Sequence, residues 1–163
     1  MEYFFSGRYN GTNIWQTLKE LRMMNVKPVP VLYFAYAHDL DKKLMNERAP
    51  ESRPRLTAVL PNYRLAFFGW SRQWKSGLAT LRGAHGSKVA GGVYEITEKD
   101  LRRLDALEGY PREANRINVT VFTEDGDALK AVTYIKVSQG EETKPSAEYL
   151  AVIQKGYRDW GIV

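Results

Sequence analysis

The sequence predicts an α+β domain, and three observations predict it. From Val29 onward most of the chain reads as short apolar or alternating runs bounded by Gly, Pro, Asn and Asp, the pattern of strands. The helical signals are few and scattered, so they do not alternate with strands as a parallel α/β sheet requires. The 163 residues are enough for one domain with a real core and short for two, and no internal repeat or low-complexity tract divides them.

Residues 1–28 read as an N-terminal extension packed on a domain of residues 29–163. Tyr3-Phe4-Phe5 is a candidate short strand. Asn13 caps a helix with Gln16 three residues on, a capping box. Ile14, Leu18 and Leu21 fall on one face of that helix, which stops near Asn25, before Lys27-Pro28. A lid or an oligomer contact is the functional alternative for this piece; packing is the reading taken.

Pro30 precedes an apolar strand that reaches Tyr36, and Asp41 to Arg48 forms a short helix. Leu56 to Leu60 and Tyr63 to Trp70 are strands parted by a Pro61-Asn62 turn. Ser76 to Leu81 and Val89 to Ile96 are strands joined by a Gly83-Ala84-His85-Gly86 turn. Thr97 and Asp100 open a helix as N-cap and first-turn acid, and Leu101, Leu104 and Leu107 give it a buried stripe. Ile117 to Phe122 and Ala128 to Val137 alternate around a turn at Glu124-Asp125-Gly126-Asp127. Ser146 or Ala147 starts a last helix that ends near Trp160-Gly161. Phe67, Phe68, Trp70 and Trp74 lie on strands, where core is the plainer role.

Hydrophobic residues make up 44% and charged residues 26% of the chain, the balance of a soluble globular protein. Without cysteine, disulfides and thiolate metal sites are excluded. The first residues lack the basic stretch and apolar core of a secretion signal. The longest apolar run, near Val29 to Ala37, is too short to span a bilayer. The Asn10-Gly11-Thr12 and Asn118-Val119-Thr120 sequons are therefore discounted, and a cytoplasmic location is expected. The net charge of +5 is spread over pairs such as Lys42-Lys43, Arg53 and Arg55, and Arg102-Arg103. That reads as solvated surface, so neither nucleic acid nor a membrane is an expected partner, and the oligomeric state is not legible.

The candidate chemistry centres on Glu108. It ends the helix Leu104-Asp105-Ala106-Leu107-Glu108 and enters a Gly109-Tyr110-Pro111 turn, where a carboxylate can be held over a cleft. The helix C-terminus disfavours negative charge, and with shielding this would raise the pKa toward the range useful for proton exchange. Far upstream, the strand Tyr33-Phe34-Ala35-Tyr36 runs straight into the loop Ala37-His38-Asp39-Leu40. A strand ending in a loop that presents backbone N–H groups, joined by one carboxylate, suggests a site for a small anionic molecule.

These segments also carry a resemblance. Tyr33-Phe34-Ala35-Tyr36 and its loop, Trp74-Lys75-Ser76-Gly77-Leu78-Ala79-Thr80-Leu81, Gly92-Val93-Tyr94-Glu95-Ile96, Leu104 to Tyr110, and Pro145-Ser146-Ala147-Glu148-Tyr149-Leu150 stand in the order seen in the gamma-glutamylcyclotransferase-like family. The similarity runs from about Pro30 to the C-terminus. It implies a mixed, partly closed β-barrel with peripheral helices. It also implies an intramolecular reaction, in which the α-amine of a gamma-glutamyl group attacks its own gamma-carbonyl and releases 5-oxoproline and a free amine. Glu108 falls on the catalytic acid/base, Tyr33 to Leu40 on the segment holding the glutamyl end, and Tyr149 on the tyrosine that donates to substrate oxygen. The implied partner is a small gamma-glutamyl compound, with no cofactor and no metal.

The chain departs from the family pattern in the loop. The family's Tyr-Gly-Ser-Asn-Leu is here Tyr36-Ala37-His38-Asp39-Leu40. If the Gly position has positive φ, Ala37 costs roughly 1 kcal/mol or forces another path. His38 adds a titratable ring and a possible proton-handling pair with Glu108. Asp39 puts a negative charge where a substrate carboxylate would sit, unless it points away or meets the substrate ammonium. An aromatic residue frequent after the Glu-Gly-Tyr-Pro turn is missing from Arg112 to Arg116. A relative with altered chemistry, acting as a small-molecule or protein binding module, is the alternative these departures favour.

Overall fold

The computed structural model describes residues 12–24, 29–137 and 140–162. Tyr3-Phe4-Phe5, Asn25 and the side chains of Asn13 and Leu21 lie outside them. Thr12–Met23 is helical (α1), so Asn13 stands within the helix rather than at its cap, and the helix ends before Met24. Ile14, Trp15 and Leu18 are exposed on it.

Val31–Ala35 forms β1. The alternation of side chains along a strand sends its residues to two different cores. Leu32, Phe34 and Tyr36 join Leu60, Leu81, Val93 and Val121 inside the barrel. Val31, Tyr33 and Ala35 face outward to a layer that includes Met45, Leu104 and Trp160 from the surrounding helices. This double burial explains why the strand reads as a continuous apolar run.

A 3-10 turn, Ala37–Leu40, follows at once. Helix α2, Lys42–Arg48, starts after Asp41, whose side chain caps it by accepting from the N–H groups of Lys43 and Leu44. Strands β2, Arg53–Ser71, and β3, Ser76–Ile96, then form one long antiparallel hairpin. Here the sequence expectation fails instructively. The Pro61-Asn62 and Gly83 to Gly86 segments do not turn the chain; they lie opposite each other as a register irregularity in the hairpin. The Gly86 N–H donates to Asn62 Oδ1 at 3.1 Å. Turn chemistry on both strands was satisfied by a local bulge instead of two reversals.

Helix α3, Glu98–Glu108, is capped by Thr97, whose hydroxyl accepts from the Asp100 N–H, as the sequence predicts. Leu104 is fully buried, but Leu107 is 55% exposed, so the expected stripe stops a turn short of the helix end. Strands β4, Ala114–Phe122, and β5, Ala128–Lys136, pair antiparallel around the expected turn. Helix α4, Ala147–Asp159, is capped by Ser146. The strands close in the order β1-β3-β2-β4-β5, sealed by a parallel contact of Tyr33 with Val132. The mixed α+β barrel is thus present. Trp70 is a further correction: it is 70% exposed, while Phe68 is buried.

Candidate active site

The site lies where β1 leaves the barrel. Ala37 has φ 59°, in the left-handed region. The loop therefore keeps the conformation that favours glycine, and the extra methyl is accommodated in the packed cluster with Ala79, Tyr149 and Ile153. The strain, of order 1 kcal/mol, is offset in part by burying that methyl.

The turn is held from several sides. The Tyr94 hydroxyl donates to the Asp39 carbonyl at 3.0 Å, and Trp160 Nε1–H to the Leu40 carbonyl at 2.8 Å. Lys155 Nζ lies 3.1 Å from Asp41 Oδ1. Gly156 of α4 rests against the Leu40–Asp41 backbone so closely that a Cβ there would come within 2.8 Å of the Asp41 nitrogen.

This turn aims Asp39 inward, not at solvent. Tyr33 donates to Asp39 Oδ2 at 2.6 Å. Arg48, the last residue of α2, sets its Nε 2.9 Å from Asp39 Oδ1, an ion pair whose alignment is too poor for a directed hydrogen bond. The same guanidinium donates through Nη2 to Glu108 Oε1 at 2.5 Å. Helix α3 can end immediately after Glu108 because Gly109 takes φ 75° as its left-handed cap. Glu108 is a quarter exposed at its side chain.

The electrostatics follow from these contacts. Burial pushes Glu108 up, the charge of Asp39 adds to it, and Arg48 opposes; the result is about 7. Burial alone would raise Asp39 too, but Arg48, then His38 and the Tyr33 hydrogen bond, outweigh it and hold Asp39 below the usual carboxylate range. Burial lowers His38, so the ring is neutral near pH 7. Its Nδ1 is 2.8 Å from the Tyr149 hydroxyl, and its Nε2 is 3.6 Å from Asp39 Oδ1. The Tyr149 oxygen already accepts from the Ala79 N–H at 3.1 Å. A neutral His38 is best served by carrying its proton on Nε2, facing the carboxylate, and accepting at Nδ1 from Tyr149.

The structure thus gathers Tyr33, His38, Asp39, Glu108 and Tyr149 in one place. His38 engages Tyr149 directly, and the direct partner of Glu108 is Arg48. Tyr36, whose hydroxyl donates to the Tyr134 carbonyl, borders the group. Phe34, Ala35 and Leu40 bury their side chains in the two cores, and the Phe34 and Leu40 carbonyls accept from Thr133 Oγ1 and Trp160 Nε1. Arg48 is the residue that sequence reasoning missed. Trp74, expected in the core, is a half-buried wall instead, its ring 5.4 Å from that of Tyr149 and 6.3 Å from that of His38.

One donor atom from each of His38, Asp39 and Glu108 lies within 4.8 Å of the others, a set capable of gathering a metal ion. The guanidinium stands against both carboxylates, however, so their negative charge is already matched by an organic cation that stays protonated. The donor set behaves as an ion-pair network.

Comparison with known proteins finds relatives across most of the chain. The family model described as gamma-glutamyl cyclotransferase, AIG2-like, matches residues 33–151. The gamma-glutamylcyclotransferase of Bos taurus is 30% identical over 136 residues, covering 80% of this chain and 72% of its own. The Homo sapiens protein of the same name is 29% identical over the same span and coverage. A solved structure titled gamma-glutamyl cyclotransferase superposes with a TM-score of 0.78 at 27% identity, covering 82% of each chain.

Proposed function

This chain belongs to the gamma-glutamyl cyclotransferase, AIG2-like, family, and we propose that it cyclises a gamma-glutamyl amide or amine, with Glu108 as the acid/base. The observation carrying this reading is a carboxylate held at a helix end, facing the strand-end turn that holds the rest of the site; burial pushes it up to about 7. A group of that pKa is present in both protonation states near neutrality, which is what two-way proton transfer needs.

In the proposed reaction the α-ammonium of the substrate takes the place of the Arg48 nitrogen at Glu108. Glu108 accepts a proton from it, and the freed amine attacks the gamma-carbonyl. The ring C–N bond forms, the original amide C–N bond breaks, and the protons shed by the attacking nitrogen end on the departing one. The products are 5-oxoproline and the free amine. Nucleophile and electrophile share one molecule, so the protein has only to fold the substrate and move protons; such tethering is worth on the order of 10⁵–10⁸ M in effective concentration. The turn Tyr36 to Leu40 holds the glutamyl end. Tyr149, whose hydroxyl can turn from His38 to a substrate oxygen, completes the binding set. The reading includes a cytoplasmic protein acting without cofactor or metal on a small substrate. No helix among the described residues is long and apolar enough to cross a membrane.

The test is to incubate the protein with a panel of gamma-glutamyl compounds and measure 5-oxoproline. Glu108→Gln, with its fold verified by circular dichroism, is expected to lose about 10²–10⁴-fold in kcat. Full turnover by that variant, or no 5-oxoproline from any compound, overturns the assignment.

A further inference from the structure

Glu108 is approached by charge from several elements. Arg48 comes from α2, Asp39 and His38 from the 3-10 turn, and Lys136 from β5. The hydroxyls of Tyr33, Tyr36, Tyr134 and Tyr149 also lie within its field, all pushed up by burial and so neutral through the physiological range. Of these groups only Arg48 touches Glu108, and it does so while its Nε is ion-paired with Asp39. The guanidinium presents Nε to Asp39 at 2.9 Å and Nη2 to Glu108 at 2.5 Å. Asp39 in turn is locked by the Tyr33 hydroxyl at 2.6 Å. An arginine given wholly to one carboxylate would clamp it with two parallel N–H groups and hold it ionised. Here Nε faces Asp39, and Glu108 receives the single nitrogen Nη2.

We infer that Asp39 is a positioning residue acting through Arg48: by holding the Nε side of the guanidinium in an ion pair, it keeps part of that positive charge from Glu108 and so sets the proton affinity of the acid/base. Asp39 stands where the resembling family has Asn, so this chain has put a second carboxylate behind the acid/base. The inference deepens the reading of Glu108 given above and rests on it for its catalytic meaning, although the electrostatic arrangement can be measured without turnover.

The experiment uses protein carrying carboxyl-¹³C glutamate. The Glu108 resonance is assigned by its absence in Glu108→Gln and titrated from pH 4 to 9. In Asp39→Asn the full guanidinium charge falls on Glu108, and its midpoint is expected to drop by about one pH unit or more. In Arg48→Met the cation is gone and Asp39 remains, so the midpoint is expected to rise. These opposite directions separate charge positioning from loosened structure, since a loosened site sends both midpoints down toward the ordinary glutamate value. Arg48→Met can fail to fold, because it leaves Asp39 buried and unpaired. Asp39→Asn is isosteric and still accepts from Tyr33; with its near-UV circular dichroism unchanged from the parent, a loosened site is excluded and a downward shift is read as charge positioning. A midpoint unmoved in Asp39→Asn, or moved upward, overturns the inference. The acid limb of kcat/KM in Asp39→Asn is expected to follow the resonance. A shifted resonance without any 5-oxoproline production upholds the inference and removes the proposed activity.

Discussion

Gly156 offers the sharpest test of how helix α4 supports the site. Replacing a mid-helix glycine with alanine normally stabilises a protein by about 1 kcal/mol. At position 156 a new Cβ would stand 2.6 Å from Leu40 Cβ and 2.8 Å from both the Asp41 nitrogen and the Leu40 carbonyl carbon. Those distances fall short of the 3.4 Å at which such contact becomes ordinary by roughly 0.6–0.8 Å. The obstructing atoms are backbone and a Cβ, so no flexible side chain can yield. Overpacking of this kind costs about 1–3 kcal/mol. With the propensity gain subtracted, Gly156→Ala is expected to lose on the order of 1 kcal/mol, a sign opposite to the general rule.

The displacement also falls on the site. The helix carries Tyr149 and Lys155 and is capped by Trp160, and these contact His38, Asp41 and the Leu40 carbonyl. A misplacement approaching 1 Å costs up to about 10²-fold in rate, so a loss on the order of tenfold in kcat/KM is expected. Urea unfolding measures the first effect, with an unchanged m-value required, and 5-oxoproline release measures the second. Gly83→Ala, where nothing lies within 4 Å of the added methyl, is the control and is expected to be neutral or stabilising. A Gly156→Ala variant more stable than the parent, with full activity, would refute the close-contact argument.

Glu108 makes folding depend on pH with a definite sign. Its folded pKa of about 7 exceeds the ordinary glutamate value, so between roughly pH 4.5 and 7 the folded state binds more protons than the unfolded chain. Stability from this group is present in full below that window and lost as pH rises through it, at up to about 1.4 kcal/mol per pH unit. Urea unfolding at several pH values should therefore show the parent losing stability relative to Glu108→Gln from pH 5 to 7; a constant gap would contradict the raised pKa. His38 works in the opposite sense: its lowered pKa means stability is lost as pH falls below about 6.5. Its ¹⁵N resonances at pH 7 should report an unprotonated Nδ1 and a protonated Nε2, and the reverse tautomer would break the Tyr149 geometry argued above.

The elements that the sequence made legible are those whose signals are local. Thr97 caps its helix with the hydroxyl contact that its spacing predicts, and the last helix starts at Ala147, one of the two residues expected, with Ser146 as its cap. Gly109 stops α3 immediately after Glu108, as the turn residues suggest. The expectations that failed depended on what lay across space. Pro61-Asn62 and Gly83 to Gly86 carry ordinary turn chemistry, but each found the other opposite it and the hairpin continued. Leu107 and Trp70 are apolar residues on well-predicted elements that happen to have nothing packed over them, a fact no periodicity contains.

The same division runs through the site. Glu108 and the turn were legible because a helix end and a strand end each announce themselves along the chain. Arg48 was not, since nothing at the end of a short helix says that its guanidinium reaches both a residue nine positions back and one sixty positions ahead. Without that cation Asp39 looks like an obstacle, a negative charge set where an anionic substrate must approach. With it, Asp39 is already spent: its charge is held by Arg48 and Tyr33 inside the protein, and in the proposed reaction what the substrate meets is Glu108. Substituting a charged residue into a binding loop therefore predicts repulsion only when no partner of opposite sign is buried beside it. Here the partner exists, and the substitution acts on the proton affinity of its neighbour instead of on the ligand.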